Sequence, residues 1–294
     1  MAVATLDGTT MSLAGDAKAT TGMFEAGSLT KPLTATLLAA LTLSGDVTLE
    51  TTVGQVLGSE AGTASDVSLR ELATHTSGLP RVADNAMRLP FWPRDPYRFY
   101  GEDRLYKGLR SVALKTRGSI RYSNLGFDLL GHCLARAAGQ AFRDLLTEVV
   151  LRPGGMEAGR CQPCERSRLL RGHGSLVLGG RRWHQPLPGA GGVDCTITDL
   201  ARWVAANAVP ESTPLERAVG LCHQVHATDG GKSVGLAWHF SGPVVWHNGG
   251  TGSFQGVAAF VPGRGGACGL AAIGPGPQWG MDERVIEWTR TLAT

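Results

Sequence analysis

The sequence has no run of basic residues, no long unbroken apolar stretch and only five lysines in 294 residues. Its 28 basic and 25 acidic side chains are scattered and leave a net charge of +3. That balance offers no surface suited to nucleic acid or an anionic membrane, so the expected partner is a small molecule. Nothing approaches the length of a membrane span. The opening residues, MAVATLDGTTMSLAGD, lack the basic start and apolar centre of a secretory leader, which predicts a cytoplasmic location. The six cysteines, at 133, 161, 164, 195, 222 and 268, are too dispersed to staple a fold and read as mostly reduced and buried. No internal repeat or disordered linker interrupts the chain, and an apolar content of 43% is enough for one large core.

What the chain does contain is an organising stretch, Phe24 to Leu41, FEAGSLTKPLTATLLAAL, in which Ser28 and Lys31 stand three residues apart at the mouth of an apolar helix. That spacing puts both on one helical face, close enough for the amine to take the hydroxyl proton. Leu33, Leu37, Leu38 and Leu41 recur at helical spacing behind them, so the helix is expected to be buried and Lys31 partly desolvated. Desolvation lowers a lysine's pKa and turns a surface cation into a base. Pro32 fits only near a first turn, which starts the helix at about Gly27 or Ser28 and sets Ser28 at the positive end of the helix dipole. With sixteen serines and five lysines the same spacing arises by chance in roughly a quarter of such chains. The pair therefore takes its meaning from its surroundings.

Ala2 to Leu6 and Thr10 to Leu13 flank Asp7-Gly8 and read as a hairpin. Ser68 and Glu71 have capping-box spacing ahead of a short helix that stops near Ser77-Gly78. Phe91, Trp92, Tyr97, Phe99, Tyr100 and Tyr106 crowd together with Pro90, Pro93 and Pro96. The prolines make this a loop, and its aromatics either hold it down or wall a substrate site. Helices are expected over 102–115, 124–138 and 140–150, with Thr196 and Asp199 capping another through Ala206. Ser233 to Phe240, Pro243 to His247, Gly256 to Val261 and Ala267 to Ile273 read as strands, and Met281 to Leu292 as an amphipathic closing helix. The fold class is therefore α+β, with one antiparallel sheet formed by both chain ends, flanking helices and an inserted helical part. A single domain spans 1–294, with 1–60 and 190–294 as its sheet part and 61–189 as its mainly helical part.

Two further motifs accompany Ser28 and Lys31. Tyr122-Ser123-Asn124 places a phenol and a carboxamide just before a helix, and Trp246-His247-Asn248-Gly249-Gly250 ends an apolar strand in side-chain-free backbone. With EAGSLTKPLTA, VSLRELATHTSGLP, RYSNLGFDLLG, GAGGVDCTITDLARW and WHNGGTGSF in that order, the sequence resembles the serine β-lactamase and penicillin-binding-protein superfamily, specifically its class C β-lactamase and esterase (transesterase) branch. The resemblance implies a β-lactamase/transpeptidase-like fold and a covalent acyl-enzyme, with no cofactor and no metal. It makes Ser28 the nucleophile, Lys31 its proton acceptor and Tyr122 the phenol that shuttles a proton to the leaving group. His247 stands where many relatives carry lysine. Asn124, Asn248, Gly249, Gly250, Phe91 and Trp92 are implied on the substrate side, with the backbone amides of Ser28 and Gly250 as the oxyanion hole.

An imidazole of ordinary pKa is only about a quarter protonated at pH 7, so carboxylate-bearing β-lactams and cell-wall peptides are expected to be poor substrates. The expected reaction is acyl transfer or ester cleavage on an ester, thioester or amide small molecule in biosynthetic metabolism, with an amine or alcohol as acceptor. The alternatives are a β-lactamase or D-amino-acid peptide hydrolase, and a binding protein that is acylated once.

Rival sites are readable too. Gly231-Lys232-Ser233-Val234-Gly235 fits the G-x-S-x-G pattern, but that pattern needs a strand before and a helix after it, whereas here a turn precedes and a strand-like run follows. Cys161 and Cys164, with His173 or His184, make half of a zinc site. The remaining histidines, 75, 132, 223, 226 and 239, read as surface or core residues, and Trp183, Trp203 and Trp238 as core.

Overall fold

Both ends of the chain meet in one sheet. The computed structural model describes residues 2–7, 10–86, 95, 97–162, 169–170, 183–263, 268–275 and 280–292. The opening hairpin pairs β1 (Ala2–Asp7) with β2 (Thr10–Gly15). Strands β3 (Phe24–Glu25), β4 (Arg160–Cys161) and β5 (Val193–Cys195) form a small sheet of their own in the order β3-β5-β4. Strands β6 (Ala227–Asp229), β7 (Lys232–Val234), β8 (His239–Ser241), β9 (Val244–Gly250), β10 (Phe254–Val261) and β11 (Cys268–Pro275) belong to the large sheet. Its order is β2-β1-β11-β10-β9-β8-β7-β6, antiparallel throughout, and Ala2 of β1 lies opposite Ile273 of β11.

Alternating side chains divide the sheet's two faces. Val245, Ala258, Phe260 and Ile273 face the main core, while Val244, Val257, Ala259 and Val261 pack beneath Met281 and Val285 of the closing helix, Met281–Leu292. The central helix, Thr30–Ser44, is entered through a 3-10 turn at Gly27–Leu29 and stopped by Gly45 in the left-handed region, at φ 88°. It is buried nearly all round, between the helices Glu216–His223 and Asn124–Ala138, which is why it is apolar on every face. Capping boxes form at Ser68/Glu71 and Thr196/Asp199 as the spacing predicts, and a third forms at Thr52/Gln55.

Three expectations change. The run from Ser233 to Phe240 is two strands, because Leu236 and Ala237 leave the ladder to donate their amides to the Cys222 and Ala73 carbonyls, at 3.0 and 2.9 Å. Leu236, Ala237 and Trp238 are thereby buried in the core, so burial overrides the strand pattern there. The helix expected to reach 115 stops at Leu109, and the one over 140–150 is a short helix, Phe142–Leu146, continued by one wide turn at Thr147–Leu151. The small three-stranded sheet, with strands of two or three residues, is too short to leave a periodic signal.

Candidate active site

The 3-10 turn ahead of the central helix presents Ser28, and Lys31 follows one turn later, with Nζ 3.0 Å from Ser28 Oγ. Tyr122, just before the helix Asn124–Ala138, donates from Oη to the same oxygen at 2.6 Å. Residues 94 positions apart thus meet on one hydroxyl.

Strand β9 passes directly against this turn, and glycine makes the approach possible. A Cβ on Gly249 would lie 2.1 Å from the Ala26 carbonyl oxygen and 2.8 Å from the Leu29 nitrogen. Gly27, at φ +54°, would put a Cβ 2.7 Å from the Gly250 carbonyl oxygen. Gly250 therefore lies beside Ser28, as an oxyanion hole shared by the two residues requires.

Lys31 is fully buried and donates to the Ala190 carbonyl at 2.8 Å. Burial lowers its pKa to about 7, against the pull of Asp128 and with the help of Arg81. Burial pushes the Tyr122 phenol up to about 12, more than its bond to Ser28 lowers it. The phenol is thus protonated at neutral pH and serves as a donor.

His75 holds Tyr122 from three sides. Its carbonyl accepts the Arg121 amide at 2.8 Å, its Nδ1 accepts the Ser123 amide at 3.1 Å, and its ring lies 4.6 Å from the Tyr122 ring. It does so from the left-handed region, at φ 62°, a strained conformation for a residue with a side chain. Burial holds its pKa well below the ordinary value, in keeping with a neutral ring that accepts at Nδ1.

The cleft beside Ser28 is lined by Tyr97, Asn124, Trp183, Gln185, Ala190 and Gly250. Asn124 donates from Nδ2 to Tyr97 Oη at 3.0 Å, and its Oδ1 is buried with no partner among the described residues. Tyr97 and Trp183 meet edge to face, 5.6 Å apart. Trp183 is therefore a wall of the cleft rather than a core residue. Phe91 and Trp92 lie outside the described residues.

Two residues of the third motif depart from expectation. Asn248 projects to the opposite face of β9, where its side chain donates to Asp282 of the closing helix, because alternation along a strand sends neighbours to opposite faces. His247 points inward but is fully buried, with Nδ1 2.5 Å from the Asn248 carbonyl oxygen and its ring stacked 5.3 Å from His239. Burial, with His239 and Lys31 nearby, holds it well below the ordinary histidine pKa. It is a neutral core residue and lines no part of the cleft.

Of the rival sites, the serine one does not assemble, and two residues of the zinc one lie outside the described residues. Ser233 lies in a β7 hairpin, 3.2 Å from Thr228 Oγ1, with strand rather than helix after it. Cys161 is buried and His184 pairs with Asp95 at 2.5 Å, while Cys164 and His173 lie outside the described residues. Among the described residues no group of three or more histidine, cysteine or acidic side chains is arranged to hold a metal ion.

Tyr97 belongs to the aromatic loop that the sequence offers as a substrate wall, whereas His75 reads there only as a surface or core residue and Arg81, Asp128 and Ala190 are not singled out. Of these last three Asp128 alone left a sequence signal, as an acid in the apolar run LGFDLLG.

The protein-family profile described as Beta-lactamase matches residues 4–282. The chain is 29% identical over 269 residues to the D-alanyl-D-alanine-carboxypeptidase/endopeptidase AmpH of Escherichia coli K12, covering 80% of this chain and 66% of that protein. It is 28% identical over 234 residues to a beta-lactamase of Pseudomonas fluorescens, covering 74% and 60% respectively. To an unguisins hydrolase of Aspergillus campestris it is 25% identical over 289 residues, covering 83% and 51%. The chain thus spans about two thirds or less of the length of these relatives. The structure of a beta-lactamase/D-alanine carboxypeptidase from Pseudomonas syringae aligns with a TM-score of 0.82 at 18% identity, covering 99% of this chain and 92% of that one. A class C beta-lactamase from Rhodobacter sphaeroides gives 0.79 at 20%, covering 99% and 93%. At such identities the likeness is one of fold.

Proposed function

Since the chain belongs to the beta-lactamase family, we propose that it is a serine enzyme that forms a covalent acyl-enzyme on Ser28. The observation that carries this reading is the seat of Ser28 Oγ between the Lys31 amine at 3.0 Å and the Tyr122 phenol at 2.6 Å. Neutral Lys31 donates to the Ala190 carbonyl, which leaves its lone pair free to turn toward the hydroxyl. As Oγ bonds to the acyl carbon, its proton passes to Nζ, and the carbonyl electrons move onto the oxygen facing the amides of Ser28 and Gly250. Collapse of that intermediate breaks the bond to the leaving group, which takes the Tyr122 proton. Tyr122 is then reprotonated from Lys31, and both return to their starting state. Water or a bound amine or alcohol releases the acyl group by the same steps reversed.

The acyl donor we propose is a neutral ester, thioester or amide whose acyl part carries an N–H. The buried Asn124 Oδ1 in the cleft, which has no partner among the described residues, favours such a donor, because leaving it unpaired costs free energy that a substrate N–H removes. Neutral, buried His247 offers no cation for a carboxylate. Tyr97 and Trp183 supply apolar walls that favour an organic acceptor over water, in the setting of cytoplasmic small-molecule metabolism.

A second reading, a D-aminoacyl peptide or β-lactam hydrolase, is favoured by Arg81, whose guanidinium carbon lies 5.1 Å from the Tyr122 ring centre. It is an exposed cation beside a catalytic side chain, and the names of the AmpH and Pseudomonas fluorescens relatives point the same way. Matched N-acylated ester substrates, one neutral and one with a carboxylate on the leaving side, separate the two readings. The first expects the higher kcat/KM for the neutral ester, with conjugate exceeding free acid as an amine acceptor is raised. A clear preference for the carboxylate substrate supports the second reading.

A further inference from the structure

We propose that Asp128 is a positioning residue for catalysis, acting on Lys31 through the backbone of Ala190 and supplying the negative charge against which the Lys31 ammonium forms. The inference rests on the acyl-enzyme reading above, in which Lys31 gains a proton as Ser28 attacks.

The geometry is a continuous chain. Ser28 Oγ lies 3.0 Å from Lys31 Nζ, Nζ donates to the Ala190 carbonyl at 2.8 Å, and the Ala190 amide donates to Asp128 Oδ1 at 2.9 Å. One residue thus joins the base to a buried carboxylate, since the two adjacent peptide units that meet at the Ala190 Cα are each fixed, one by its carbonyl and the other by its amide. The turn carrying Ala190 is itself clamped. Thr34 Oγ1 donates to the Gly189 carbonyl at 2.8 Å, and Gly189 packs so tightly on the helix Asn124–Ala138 that a Cβ there would lie 2.2 Å from the Phe127 carbonyl oxygen. A base oriented by a third group behind it is the general form of an activated serine nucleophile.

The charges fit the same reading. Lys31 is faced by Asp128, Arg81, Tyr122, His75 and His247. Of these Asp128 is the only carboxylate, and both histidines are held neutral by burial. Asp128 is faced by Lys31, by Tyr122 and, from the neighbouring loop, by Tyr97 and Tyr100. It also borders a cavity of about 590 Å³ shared with His132 and Arg136 of its own helix, Glu102 and Arg143. Burial raises its pKa while burial lowers that of Lys31, so proton transfer from Ser28 converts an isolated amine into half of an ion pair.

Asp128→Asn keeps an oxygen to accept the Ala190 amide and removes the charge. The rate of Ser28 labelling by a fluorophosphonate, followed by intact mass against pH, reads both effects. The expected result is a plateau rate at least tenfold lower, with the half-rise moved about one unit to lower pH, because an opposite charge raises a lysine's pKa and its loss lowers it. Asp128→Ser, a smaller neutral acceptor, moves the half-rise the same way. A variant that labels like the wild type, or one slowed with an unmoved half-rise, overturns the proposal, since a merely structural role shifts no titration. In the wild type itself, the ¹³C resonances of the Asp128 carboxyl and the Lys31 ε-carbon titrate over one common range, and separate ranges overturn it as well. Failure of the wild type to label at Ser28 is a different outcome and refutes the acyl-enzyme reading instead.

Discussion

Lys31 Nζ donates to the Ala190 carbonyl at 2.8 Å while standing 3.0 Å from Ser28 Oγ, so a residue 159 positions away in sequence decides where the amine points. A lysine tethered in this way, and fully buried, loses both the freedom and the hydration that keep surface lysines charged.

The first consequence is a pH profile. Burial holds Lys31 at about 7, and the base acts only when unprotonated, so kcat/KM should rise with pH through about 7 and level off above it. An acid limb near the ordinary lysine range, with little activity at neutral pH, would contradict the burial account.

Lys31→Ala and Tyr122→Phe should each lower kcat by about a thousandfold or more while the protein stays folded, because members of one catalytic unit fail together. Steady-state kinetics with an activated ester checks this. A Tyr122→Phe enzyme within tenfold of wild type would remove the phenol from the reaction.

The approach of β9 to the nucleophile turn predicts an unusual sensitivity at a residue with no side chain. Gly249→Ala would drive a methyl to 2.1 Å from the Ala26 oxygen. It should cost about 2 kcal/mol of stability, as overpacking does, and lower kcat beyond detection by moving Gly250 away from Ser28. Thermal unfolding together with ester kinetics reads both quantities, and an active, wild-type-stable Gly249→Ala protein would show that the strand yields without penalty.

His247→Lys distinguishes burial from charge. Introduced at an exposed site, lysine would recruit carboxylate substrates; introduced where His247 sits, fully buried, it should lower Tm by several degrees and leave carboxylate substrates no better, because an unpaired buried cation is costly. Arg81→Ala, by contrast, should leave Tm unchanged and weaken carboxylate substrates selectively, through KM. Comparing both variants on neutral and charged esters checks the pair of expectations.

These residues also show where the sequence stops being informative. Ser28 and Lys31 are legible because their spacing matches the helical period, and the start of their helix is legible because Pro32 tolerates only a first turn. The sheet built from both chain ends follows from short apolar runs bounded by turn residues in β1, β9 and β10. Asp128 is visible as an acid in an apolar run, but its partner is the backbone of Ala190, 62 residues on, and backbone partners leave no residue signature. The third motif makes His247 a catalytic candidate and Asn248 a substrate-binding one, yet a strand sends the two to opposite faces. The break at Leu236 and Ala237 defeats pattern reading because their amides donate to the carbonyls of Cys222 and Ala73, neighbours in space and not in sequence.

The most direct measurement is intact-mass and peptide mapping of the wild type and Ser28→Ala after a brief exposure to an N-acylated activated ester. The account predicts a single added acyl group on the wild type, mapped to Ser28, accumulating more slowly below pH 7 and absent from Ser28→Ala. An adduct that persists in Ser28→Ala, or one mapped to Ser233, would contradict it.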